Sequence, residues 1–98
     1  MVEKLVDYGY TFQVKLVASL ITDVSYTSRM YDLFSPDHLE SAALSWIADY
    51  TLNYFNEYRS LPTLDAFKIG INRMENEISR IEVINCLENV YKLVESSD

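Results

Sequence analysis

Apolar residues recur along most of this chain at spacings of three and four, the period of a helix buried on one side. The first ten residues are a mixed lead-in interrupted by Gly9. From Thr11 the pattern is helical, with Phe12, Leu16 and Leu20 at successive i+4 positions and Val17 and Ile21 beside them. Thr11 is expected to cap this helix by accepting a first-turn N–H. A second helix is expected from Ser25 through Phe34, with Met30, Leu33 and Phe34 facing inward.

Ser35-Pro36-Asp37 is the clearest punctuation in the chain. Serine suits a cap, proline suits the first helical position, and Asp37 and Glu40 oppose the positive helix end. A long helix over 37–58 is predicted to follow. Leu39, Ala43, Trp46, Ile47, Tyr50 and Tyr54 form its denser stripe, and Leu44, Ala48, Leu52 and Phe55 a second. Two stripes imply burial on both flanks, so this is the expected central helix, with Trp46 largely buried. Arg59 to Pro62 end it, and Thr63 caps a helix carrying Leu64, Phe67, Ile71 and Met74. Gly70 inside that pattern costs up to ~1 kcal/mol relative to alanine, which predicts close helix packing or a kink.

The last helix is predicted over 77–95, with Ile81, Ile84, Leu87, Tyr91 and Val94 as its core row. A second row, Val83, Cys86, Val90 and Leu93, is expected to be covered by Val2, Leu5 and Val6 or by another chain. The pattern contains no internal repeat. It predicts an all-α fold, one domain over residues 1–98, built as a compact orthogonal bundle of about five helices.

Composition narrows the function. Two glycines and two prolines in 98 residues argue against a small all-β protein and exclude a glycine-rich phosphate loop. One cysteine and one histidine supply neither a disulfide framework nor a His/Cys metal cage. No run of about 18 apolar residues and no signal-peptide start appear, so a soluble, cytoplasmic protein with no membrane contact is expected. The net charge of −7 is spread: −1 over residues 1–34, −3 over 35–63 and −3 over 64–98. No two basic residues are adjacent, so direct nucleic-acid binding is not expected.

No motif signals catalysis. Asp37, His38 and Glu40 cluster locally, but acids in a first turn serve the helix dipole, and adjacent helical residues do not converge on a metal. Cys86 lies on an apolar row and reads as a buried structural cysteine rather than a nucleophile. The eight tyrosines are more informative, three of them at i+4 spacing on the long helix. Tyrosines commonly line a core edge with hydroxyls in water; they are also enriched where proteins meet. The candidate interaction residues are Tyr54, Tyr58, Val83, Val90 and Leu93.

The order FQVKLVASLITD, then YTSRMYDLFSPDHLES, then a long helix ending YFNEYRSLPTLDAF resembles the N-terminal domain of DnaB-type replicative DNA helicases, closest to the bacteriophage branch. The segments that carry the resemblance are Pro36 to Glu40 and Glu57 to Thr63, and it covers about two-thirds of the chain. It implies a non-catalytic domain that takes part in ring assembly and contacts primase or a helicase loader inside a bacterial host cell. It also implies that ATP and magnesium belong to a separate RecA-like domain following this one, and that the main dimerising hairpin lies beyond Asp98. The isolated 98 residues are then expected to be monomeric or weakly dimeric, with hexamers formed by the longer protein. The competing reading is a free-standing acidic adaptor, or a DNA mimic presenting ordered rows of carboxylates. An unrecognised all-α enzyme is the third.

Overall fold

The computed structural model describes residues 9–96, and there the chain is all-α. Five α-helices follow one another: α1 (Tyr10–Thr22), α2 (Val24–Met30), α3 (Ala42–Tyr58), α4 (Leu64–Asn72) and α5 (Glu77–Ser96), with a single 3₁₀ turn at Pro36–His38 before α3. Helices α1, α3 and α5 pack on one another around the core, α2 folds back on α1, and α4 leans on α5. The Cα radius of gyration of 12.8 Å is close to the ~13 Å expected of a compact chain this long.

Each helix starts where the chain offers a cap, though not always where the spacing predicts. Helix α1 begins at Tyr10, one residue before the expected Thr11 cap. Its N-cap is Gly9 at φ +88°, a left-handed conformation that glycine adopts without a Cβ penalty. Phe12, expected in the core row, is exposed, while Leu16, Val17, Leu20 and Ile21 are buried.

Helix α2 starts before the expected Ser25 because the Asp23 carboxylate accepts the Tyr26 N–H at 3.2 Å. Thr27 is fully buried, and its hydroxyl donates to the Leu20 carbonyl at 2.6 Å, tying α2 to α1. The helix stops at Met30 rather than continuing to Phe34. Phe34 still reaches the core, but Leu33 is turned outward and 77% exposed.

The predicted helix over 37–58 is interrupted near its start. Ser35 does cap a turn, its hydroxyl accepting from the Asp37 N–H at 3.3 Å, but only one 3₁₀ turn follows. The backbone then breaks, and α3 restarts at Ala42 with the Ser41 hydroxyl accepting from the Leu44 N–H. A residue on α1 accounts for the break. The amide oxygen of buried Gln13 takes the Glu40 N–H at 2.8 Å, a donor that a continuous helix would have spent internally.

Helix α3 is central as expected, but its second stripe is the more deeply buried of the two, and on the denser stripe only Ile47 within the helix is fully inward. Leu44, Ile47, Ala48, Thr51, Leu52 and Phe55 face the core, whereas Trp46 and Tyr50 are half-buried. Arg59 ends the helix in the left-handed region at φ 55°, with its guanidinium 5.4 Å from the centre of the Phe55 ring. A non-glycine residue held there costs roughly 1–2 kcal/mol, offset in part by that cation–ring contact. The expected Thr63 cap of α4 is present, accepting from the Ala66 N–H at 3.1 Å.

Candidate functional site

The tyrosines singled out by the sequence form a ladder on α3. Trp46 and Tyr50 stack nearly parallel at 5.1 Å between ring centres. Tyr50 lies 6.4 Å from Tyr54, and Tyr54 4.6 Å from Tyr58. The i+4 spacing puts each ring over the turn before it, as helical side chains direct themselves.

The upper rungs hold α4 in place. The Tyr50 hydroxyl donates to the Ala66 carbonyl at 2.7 Å, and its ring lies 5.4 Å from that of fully buried Phe67. Gly70 completes the fit: a Cβ there would lie 2.6 Å from Tyr50 Cε1 and 3.2 Å from the Trp46 ring. The close approach expected at this glycine is therefore present. At the lower end Tyr58 is exposed, and its phenol is pushed above the usual range, first by the neighbouring Glu57 carboxylate.

Of the five candidate interaction residues, the structure brings Tyr54 and Tyr58 together and separates them from the other three. Val83 and Val90, at 2% and 0% exposure, belong to the core and offer no surface to a partner. Leu93 is half-buried against the same core. Helices α1 and α3 pack on α5 beside this row. Val2, Leu5 and Val6, the covering residues expected from the sequence, lie outside the described residues.

The row of α5 predicted to be core is divided: Leu87 is buried and Tyr91 and Val94 are half-buried, as expected, but the isoleucines at its start face outward. Ile81 and Ile84 are 51% and 39% exposed, and Ile78 before them is 71% exposed. Ile84 lines a groove of ≈ 450 Å³ between α4 and α5, with Leu64, Lys68 and Ile71 on one wall and Leu87, Glu88 and Tyr91 on the other. Burial pushes the Tyr91 phenol up. Sequence reasoning missed Leu64, Lys68 and Glu88, although a signal was present. The row through Ile81, Ile84 and Tyr91 also carries Glu77, Glu88 and Glu95, whereas Val83, Cys86, Leu87 and Val90 are uninterrupted by charge. The row without charges is the one that faces inward.

Cys86 is buried and in hydrogen-bonding contact with Tyr10. Burial pushes its thiol up and the Tyr10 contact opposes this, leaving the net shift upward. A thiol so placed is protonated at neutral pH, which suits a structural cysteine rather than a nucleophile. Among the described residues no group of three or more His, Cys, Asp or Glu is placed to hold a metal ion, and no helix is long and apolar enough to cross a membrane. What this surface offers chemically is apolar area edged by carboxylates. No family model, no curated protein and no solved structure matches the chain.

Proposed function

We propose that this chain is a protein-interaction module, and specifically the N-terminal domain of a DnaB-type replicative helicase of the bacteriophage branch. In this reading it serves ring assembly and contacts primase or a helicase loader in the cytoplasm of a bacterial cell, and catalysis resides in a separate ATPase domain. The observation that carries the interaction reading is the exposed isoleucine row of α5 beside the α4–α5 groove. Contiguous apolar surface on a small domain marks a place where another protein sits.

The helicase assignment is supported by the resemblance and by where its segments fall. Pro36 to Glu40 span the break before α3, and Glu57 to Thr63 span the α3–α4 corner, where Pro62 is buried and Thr63 caps α4. The exposed isoleucines disfavour the DNA-mimic alternative, which needs rows of acids with little apolar surface between them. Calorimetric titration of the chain with the purified primase and loader of the same replication system tests the assignment. Saturable binding to one of them is expected, together with no ATP hydrolysis by the 98 residues alone. Absence of binding to both, or saturable ATP turnover, overturns it.

A further inference from the structure

We propose that the α4–α5 groove receives an amphipathic helix of a partner protein whose apolar face is edged with lysine or arginine. The inference deepens the interaction-module reading and rests on it; the helicase assignment does not enter. Along the outward face of α5, Glu77, Ile81, Ile84, Glu88, Tyr91 and Glu95 follow one another in alternating steps of four and three residues. That spacing keeps all six positions on one face of α5, so a helix lying lengthwise along it meets both the apolar residues and the glutamates. Ile84, Glu88 and Tyr91 of this row line the groove with Leu64 across from them, and Glu77, exposed Ile81 and Glu95 continue the row along α5 beyond it.

The charges on this row, the docking seam, select the occupant. Its three charged positions are all glutamates, and each is exposed. The cations nearby lie off the seam: Lys68 on the α4 wall, Lys92 beside Tyr91 in sequence, and Arg80, whose guanidinium donates to the Met74 carbonyl at 3.3 Å. A second copy of this chain fits poorly. Pairing two seams in parallel sets Glu77, Glu88 and Glu95 each against its own counterpart. Pairing them antiparallel sets Glu77 against Glu95 and Ile84 against Glu88. Like charges brought together in a closing interface are costly, and the net charge of −7 repels a second copy at longer range. An occupant with basic residues opposite Glu77, Glu88 and Glu95 turns each repulsion into an attraction.

The test uses two synthetic helical peptides of roughly 18 residues, each with one leucine face, long enough to cover the seam at 1.5 Å per residue. One carries lysine at the edges of that face and the other glutamate. Fluorescence anisotropy is expected to show saturable binding of the lysine peptide alone, weakened at least about tenfold by Ile84→Glu or Glu88→Lys. Asp37→Lys changes net charge as much as Glu88→Lys but lies away from the groove, and is expected to leave binding unchanged within about twofold. In a Glu77→Lys/Glu88→Lys/Glu95→Lys chain the preference should reverse to the glutamate peptide. No binding, equal binding of both peptides, or equal weakening by Asp37→Lys overturns the proposal. A dimer in sedimentation that Ile84→Glu dissolves also overturns it, by making a second copy the occupant. If primase and loader fail to bind while the lysine peptide binds as described, the helicase assignment falls and this inference stands.

Discussion

The two flanks of α4 meet their neighbours in different ways. Toward α3 the upper rungs of the ladder fill the gap: Phe67 is fully buried, Tyr50 spans to the Ala66 carbonyl, and Gly70 lets the aromatic ring lie against the α4 backbone, while lower down a cleft of ≈ 380 Å³ remains between Tyr54 and Tyr58 on one side and Ile69 and Arg73 on the other. Toward α5 the seam opens into the groove that Leu64, Ile84 and Tyr91 line. On the α3 flank the Trp46 and Tyr50 rings lie between the two helices and against Gly70, whereas α4 leans directly on α5 and leaves a groove edged by Ile84, Lys68 and Glu88. Apolar content alone therefore says little about where a partner docks; what matters is whether the element beside it has the shape to fill the gap.

Substitutions on the two flanks should separate accordingly. Phe67→Ala removes the largest fully buried side chain of the described residues and is expected to cost ~3–5 kcal/mol, a large part of a small domain's ~5–15 kcal/mol, read from chemical denaturation. Gly70→Ala should destabilise by about 1–3 kcal/mol, because overpacking against Tyr50 outweighs the ~1 kcal/mol gained in helix propensity. The same change in a Tyr50→Leu background should lose most of that penalty, which checks that the ring is the cause. If Gly70→Ala stabilises the parent chain instead, the seam is looser than described. Tyr50→Phe removes the hydroxyl and should cost ~0.5–1.5 kcal/mol. On the open flank, Ile84→Ser should change stability by no more than about 0.5 kcal/mol while abolishing binding.

The smallest effect is one of pH. The Cys86 thiol and the Tyr91 phenol both have their ionisation pushed upward, chiefly by burial, from ordinary values of 9.0 and 10.0. Folding therefore favours their protonated forms. The contribution is fully present below the ordinary values and is lost as pH rises through the higher folded ones. Melting temperature should thus decline above about pH 9, and Cys86→Ala should remove the first part of that decline.

The elements were largely legible from spacing, because a helix buried on one side writes its period into the chain. Thr63 as a cap and Gly70 as a point of close approach were also legible, since each rests on local chemistry. What spacing could not supply was phase where two apolar rows compete. Trp46 and Tyr50 look like core because they are large, yet Leu44, Ala48 and Thr51 are fully buried while the two rings stay half-buried at the α4 side. On α5 the isoleucines outweigh the valines in hydrophobicity, and only the glutamates sharing their face mark it as outward. The break before α3 depends on Gln13, more than twenty residues upstream, so nothing local announces it. Of the site, half-buried Tyr54 and exposed Tyr58 were legible as a pair, while the groove was missed because its two walls come from helices whose pairing the spacing does not encode.

In the proposed docking mode the α5 side of α4 binds the partner helix and the α3 side holds the fold together. Backbone amide shifts recorded by NMR while the lysine-edged peptide is added to the labelled chain test it most directly. The largest shifts are expected on Lys68, Ile81, Ile84, Glu88 and Tyr91, with Tyr54, Tyr58 and Arg73 unmoved. Shifts centred on Tyr54, Tyr58 and Arg73 instead would make the tyrosine ladder the docking surface and contradict it.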